Sequence, residues 1–286
     1  GLNTYYASQA ARAGGVTVAL SGLGADELFG GYPSFQNVPR LTRWLPFWRA
    51  LPRALRHALL SRWDHGDTRH RKLADTLRHA RSPAALALLQ RRVFSETGRQ
   101  SLLVADPPVA YSAHPAETAL TRDLAGFDLF TITSAAERHG YMADVLLRDS
   151  DVMSMAHSLE LRTPFVDRPL VRWLANQPAA FKLTPAHPKS VLFAALGDLL
   201  PPNLSNRKKR GFTPPFAVWM RGPLKPFLAD TFSTTSIARS GLFNTPAVQS
   251  LWQHYLAGDD TREWSRVWSL AILISFINRP RSATAA

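Results

Sequence analysis

The sequence predicts an α/β fold weighted heavily toward helix, and three observations carry that reading. The first is a short apolar, β-branched run, Val16-Thr17-Val18-Ala19-Leu20, long enough for a buried strand and too short for a helix. The second is the glycine-bearing turn that ends it, Ser21-Gly22-Leu23-Gly24, followed by two acids, Asp26 and Glu27. The third is that the segments downstream of it are spaced mainly as helices. In open α/β sheets ligands bind beyond the carboxyl ends of the strands, which is where this turn lies. A small hydroxyl, backbone amides left bare by glycine, and carboxylates suit a phosphate with Mg²⁺: the amides cradle the anion and the acids hold a hard cation. The same pattern also fits an ordinary strand-to-helix turn with a solvated acidic pair.

The bulk numbers narrow the setting. A chain of 286 residues suffices for one large domain or two small ones. No apolar run approaches the ~20 residues of a membrane span, so no membrane partner is expected. There is no basic-then-apolar leader, and Gly1-Leu2-Asn3-Thr4-Tyr5-Tyr6 reads as the middle of a domain. The lack of cysteine removes disulfides, thiolate nucleophiles and Cys-based zinc sites, and fits a reducing, cytoplasmic location. The net charge of +13 is concentrated: between Arg40 and Arg92, 13 Lys and Arg face only Asp64, Asp67 and Asp75. Such a patch can mean nucleic acid or a membrane surface. Here the cations are dispersed among Trp44, Trp48, Leu51, Leu55, Leu59 and Leu60 at helical spacing, so a solvated helical face is expected and nucleic acid is not an expected partner.

Taken in order, residues 2–13 read as a helix with Asn3 or Thr4 as its cap, and the strand 16–20 follows Gly14-Gly15. Pro33, Pro39, Pro46 and Pro52 are expected to punctuate a loop-and-helix region to about residue 65. Trp63-Asp64-His65-Gly66-Asp67 reads as a turn, with Asp67 or Thr68 capping the next helix, and Ser82-Pro83 starts another. Residues 105–115 read as a loop. From Phe127 to about His157 the spacing predicts one helix or two, with Asp144, Arg148 and Asp151 placed to meet on one face. Asp167-Arg168-Pro169 caps a helix through Leu174 that Pro178 ends; Ser190 to Leu200, Phe216 to Met220 and Glu263 to Ile277 are the remaining helices. The tail 279–286 is expected to be disordered.

Three longer words go beyond pattern. The stretch Ser21-Gly22-Leu23-Gly24-Ala25-Asp26-Glu27-Leu28-Phe29-Gly30-Gly31-Tyr32 resembles the second nucleotide motif of glutamine-hydrolysing asparagine synthetases. Leu146 to Asp167, containing Met153-Ser154-Met155-Ala156-His157-Ser158-Leu159-Glu160-Leu161-Arg162, is similar to a second block of that family. Asn206 to Phe212, followed by Thr213-Pro214-Pro215, resembles a third in the same order. The resemblance covers roughly residues 1–230 and is weakest between about 40 and 125. It implies an adenine-nucleotide α-hydrolase-like (PP-loop ATPase) parallel sheet, here lacking its upstream side. The family's phosphate loop of the type Ser-Gly-Gly-x-Asp-Ser and its glutaminase domain with an amino-terminal Cys are both absent from the sequence. Residues 1–278 are accordingly expected to be part of one synthetase domain, inactive by itself.

The resemblance implies ATP and Mg²⁺, a carboxylate acceptor with aspartate as default, and ammonia derived from glutamine at an upstream glutaminase domain. Ser21, Gly22, Leu23 and Gly24 match the ATP-contacting turn, and Asp26 an acid expected near Mg²⁺ and pyrophosphate. Glu27 either shares that role or pairs with a neighbouring Arg. Lys209 matches the lysine that steadies phosphate charge, with Arg207 and Arg210 as helpers or as part of a solvated run. Glu160 and Arg162 are phosphate or acceptor contacts, or a buried structural ion pair. His157 reads as a packed core histidine. One position departs: asparagine synthetases proper carry Glu where Leu23 stands, and Leu neither accepts a proton nor binds a cation. A different acceptor, in natural-product or surface-polymer chemistry, is the alternative that this departure opens.

Overall fold

The computed structural model describes residues 1–64, 68–104, 114–182, 188–201, 214–258 and 263–279. It is α/β and mostly helical, and the chain divides into two compact units. One comprises Gly1–Arg91 with Ala113–Phe212, the other Arg92–Ser112 with Thr213–Ala286.

Among the described residues the sheet of the first unit has two parallel strands, β1 (Val18–Leu20) and β2 (Glu160–Arg162), in register Val18 to Glu160, Ala19 to Leu161 and Leu20 to Arg162. β1 is shorter than the apolar run that encodes it, because β2 offers only three residues to pair with. It is also not buried: Val18 is 40% and Leu20 75% exposed, since a single neighbour leaves one edge and much of both faces open. β2 was not anticipated from the sequence.

Around the strands stand the helices Leu2–Ala13 and Arg148–Met155, which pack on each other. The core of this unit lies where Ser34–Ala50, Pro83–Gln90 and Leu129–Glu137 meet, burying Phe35, Val38, Leu86, Phe130 and Ala135. Leu2–Ala13 uses neither Asn3 nor Thr4 as a cap; its N-cap is Gly1. Ser34–Ala50 runs straight through Pro39 and Pro46, which were expected to break it. Packing outweighs the lost donors here, and Trp48 stacks on Trp63 of the next helix, Arg53–Asp64, at 5.9 Å. Of the turn expected at 63–67, Trp63 and Asp64 belong to the helix Arg53–Asp64, and His65, Gly66 and Asp67 lie outside the described residues. Thr68–His79 and Pro83–Gln90 follow, the latter capped as expected by Ser82, whose hydroxyl accepts from Ala85 N at 3.1 Å.

The segment 127–157 is three elements: an α-helix Leu129–Glu137 capped by Asp128, a π-helix Arg138–Leu147, and the α-helix Arg148–Met155. The wider π turn defeats the three-and-four spacing rule. Asp144, on the π segment, therefore does not meet Arg148 and contacts His114 at 2.9 Å instead; Arg148 and Asp151 share the α-helix Arg148–Met155 and still make no ion pair among the described residues. Arg168–Ala175 starts at Asp167, although the carboxylate makes no capping bond, and Ser190–Leu196 ends early in a 3₁₀ turn Gly197–Leu199.

The second unit holds Glu96–Ser101, Phe216–Arg221, Lys225–Thr231, Thr234–Arg239, Thr245–Ala257 and Trp264–Ile277. Its aromatic centre is Phe216 stacked on Trp264 at 4.7 Å, beside Trp252 and Tyr255 at 5.9 Å from each other. Arg221 lies over the Tyr255 ring at 4.4 Å and donates to the Tyr255 carbonyl, closing the end of Thr245–Ala257. Most of the residues 105–115 and the tail beyond Arg279 lie outside the described residues.

Replacing Ser82 by Ala removes the cap of Pro83–Gln90, a helix buried along nearly its whole length. It should lower unfolding free energy by about 1 kcal/mol in denaturant titrations.

Candidate nucleotide site

The turn that leaves β1 is held at both ends. Ser21 N donates to the Arg162 carbonyl at 2.8 Å, extending the parallel ladder one residue past the strand. The Ser21 hydroxyl then accepts from Leu23 N at 3.3 Å, folding the chain back in a local side-chain turn. The two glycines do different work. A Cβ on Gly22 would meet nothing within 4 Å, so that residue faces open space where a ligand can reach its backbone. Gly24 has φ +94°, and a Cβ there would sit 2.9 Å from Val166 Cγ2 and 3.3 Å from Phe165 Cβ. Only glycine meets both the left-handed backbone and the close approach of Phe165–Val166. Leu23, between them, is half-buried.

Gly24 caps the short helix Ala25–Phe29, whose second and third residues are the acids. Asp26 is paired with Lys189 at 2.8 Å, a partner the sequence did not disclose. Lys189 is one of two non-glycine residues at positive φ (+60°) among the described residues, and its N–H donates to the Phe29 carbonyl at 3.0 Å. Gly31 closes against both: a Cβ there would fall 1.9 Å from Asp26 Oδ1 and 2.7 Å from Lys189 Cε. The carboxylate is thereby fixed in one place between a lysine and a bare backbone.

Glu27 points the other way. It is 1% exposed and accepts a hydrogen bond from the Tyr32 hydroxyl at 2.7 Å. The neighbouring Arg expected from the sequence reaches it only through that tyrosine. Arg91 lies over the Tyr32 ring at 4.1 Å and the Tyr141 ring at 4.4 Å, and donates to Glu137 at 2.7 Å; Ser34 donates to the same carboxylate. Burial raises the Glu27 pKa above the usual carboxylate range, the Tyr32 bond opposing it. Burial, with the Glu27 charge, also pushes the Tyr32 phenol up. Glu27 is thus a structural acid turned away from solvent.

The other expected site residues separate. Glu160 and Arg162 do pair, at 2.7 Å, but with each other across one strand face and at 56% and 61% exposure, so they are not the buried pair the sequence allowed. They flank the turn, because the Arg162 carbonyl is the acceptor for Ser21. His157 packs its ring on Tyr5 at 4.3 Å, as expected of a packed histidine, but it is half-buried rather than in the core. Lys209, Arg207 and Arg210 lie outside the described residues. Behind Asp26 and Lys189 opens an apolar cleft of about 640 Å³, lined by Phe29, Phe165, Leu170, Trp173, Phe181 and Val191. Among the described residues its only hydroxyl is that of Ser190, which is buried and has no partner there.

The residues fit a nucleotide with a magnesium ion. Mg²⁺ takes one or two carboxylates and completes its shell with phosphate and water oxygens, so Asp26 is the carboxylate that would hold it. Among the described residues no group of three His, Cys, Asp or Glu could hold a metal without such help.

The chain belongs to the asparagine synthase family, whose model matches residues 1–278. It is 27% identical over 91% of its length to asparagine synthetase [glutamine-hydrolyzing] 1 of Bacillus subtilis, covering 40% of that protein. A putative asparagine synthetase [glutamine-hydrolyzing] of Mycobacterium tuberculosis is 28% identical over 91% of the chain and 39% of the relative. An amidase, chry2, of Gibberella zeae is 23% identical over 87% of the chain. The chain spans about two fifths of the length of these curated relatives.

Two outcomes follow from the geometry. Gly24→Ala should lose at least about 2 kcal/mol of stability in thermal or urea unfolding, from strain at positive φ together with the clash on Val166. Glu27 has a raised pKa in the folded state, so its contribution is fullest below the unfolded carboxylate pKa and is lost as pH rises through the folded value. Glu27→Gln keeps an acceptor for Tyr32 without titrating. Urea titrations from acid to neutral pH should show the variant gaining on the parent as pH rises.

Proposed function

We propose that the protein works as the nucleotide-turn part of an ATP-dependent amide ligase. In this reading it activates a side-chain carboxylate, aspartate by default, and passes it to glutamine-derived ammonia. The observation that carries it is the turn itself: Gly22 open to solvent, Gly24 locked on Phe165–Val166, and Asp26 fixed by Lys189 and Gly31 at the carboxyl end of a parallel strand.

A carboxylate repels nucleophiles and has no tolerable leaving group. An acceptor oxygen attacks the α-phosphorus of ATP, the bond to the β-phosphate oxygen breaks, and pyrophosphate leaves. Ammonia then attacks the acyl carbon, AMP departs with the electron pair of the C–O bond, and the nitrogen sheds a proton. Ser21 and the amides after it would hold phosphate oxygens, and Asp26 would hold Mg²⁺, which neutralises phosphate charge when bound. Lys209, on its basic run, would approach as charge moves onto pyrophosphate. Closing water out protects the activated acyl group from hydrolysis. An upstream glutaminase domain and phosphate loop, which the family resemblance implies, would supply the ammonia and the remaining phosphate donors, and the present chain by itself would be inactive.

A second reading keeps this chemistry and changes the acceptor. Leu23 and the apolar cleft behind Asp26 favour it, since both suit a carboxylate carried on an apolar body better than aspartate.

The test is pyrophosphate release by the full-length protein with Mg·ATP, glutamine and a panel of carboxylates. Release with aspartate, reduced at least about a hundredfold in Lys209→Ala and in Asp26→Asn, is the expected result. Release only with an apolar acid moves the acceptor; none with any acid removes the ligase reading.

A further inference from the structure

The nucleotide turn leaves one conspicuous feature unused, the outer face of the helix Ser34–Ala50. Arg40, Arg43, Trp44 and Phe47 follow one another at helical neighbour spacing and share that face, opposite the buried Phe35, Val38 and Leu45. Trp44 is 62% and Phe47 65% exposed, with ring centroids 5.7 Å apart and planes inclined at 56°. The next helix, Arg53–Asp64, buries no residue at all, leaves Leu55 exposed, and adds Arg53 and Arg62 to the surface. Among the described residues, nearby acids do not offset these cations. Asp64 is engaged by Arg78 and Asp75 is buried, and Arg40, Arg43, Arg53 and Arg62 make no ion pair among the described residues.

We propose that this face docks on an anionic lipid bilayer. Charge complementarity gives the sign of the partner, and the aromatic pair gives its kind. Stacking on nucleic acid needs free, flat ring faces. Here the two rings lean on each other and form a blunt apolar knob, flanked by the exposed Pro46. Tryptophan and phenylalanine of this sort sit at headgroup level, while arginine stems lie along the apolar surface and hold their guanidinium groups at lipid phosphates. No helix among the described residues is long and apolar enough to cross a membrane, so the contact is peripheral. The absence of a span had suggested no membrane partner; a peripheral surface needs none.

The full chain is sedimented with vesicles of phosphatidylcholine alone and of phosphatidylcholine with phosphatidylglycerol. Binding is expected only with the anionic lipid and should fall as salt rises. Arg40→Gln with Arg43→Gln should weaken it about 25-fold, and Trp44→Ser with Phe47→Ser at least about tenfold. These positions are exposed, and circular dichroism checks that the fold survives. Trp44→Phe retains binding but loses quenching of its fluorescence by brominated acyl chains. Equal binding to neutral vesicles, binding indifferent to the aromatic pair, or capture of single-stranded RNA in place of vesicles overturns the proposal.

Discussion

Two buried carboxylates around one arginine hold the first unit together. Glu27 and Glu137 are each almost fully removed from water, and Arg91 is the cation that lies between them among the described residues. It serves Glu137 directly and reaches Glu27 through the ring of Tyr32, whose hydroxyl completes the chain. Removing Arg91 would leave the buried Glu137 uncompensated, at a cost of about 3–5 kcal/mol, whereas the intact pair contributes far less net stability. Its value is positional. It ties the helix that follows the turn to the helices Ser34–Ala50, Pro83–Gln90 and Leu129–Glu137, so the turn is fixed by the core.

That arrangement explains why two adjacent acids have opposite fates. On a helix, consecutive residues point about 100° apart. With Glu27 turned into the network, Asp26 is directed to the side where Lys189 and the bare backbone of Gly31 receive it. The sidedness is built from three glycines with distinct duties: one left open, one locked by a left-handed backbone, and one emptied to admit a carboxylate.

Much of the turn was legible in the sequence because glycine and acid types declare themselves over a few residues. Lys189 was not: it lies 163 positions from Asp26, and its left-handed backbone belongs to a residue type that gives no such signal. β2 escaped because three residues carry too little alternation to read, and β1 was overestimated because its apolar run is longer than its partner. Pro39 and Pro46 misled in the opposite direction, since packing and the Trp48–Trp63 stack outweigh two missing donors. The exposed pairing of Glu160 with Arg162 was hidden by not knowing they stood in a strand. The basic stretch was visible as charge, but only three-dimensional structure shows that its aromatic residues point outward with it.

The π-helix at Arg138–Leu147 has a bearing on how relatives are compared. Each π turn holds an additional residue against the same rise, so the ten-residue segment stores surplus chain inside a continuous rod. A homologue that drops one residue there would rewind one turn to α geometry and keep the facing of everything downstream, because about one residue fewer completes the same rotation. Leu146 to Asp151, which open the second family word, would hold their orientation. A single-residue gap in this stretch would therefore mark a rewound turn rather than a lost loop, and residues three or four apart inside it are not the ones that meet.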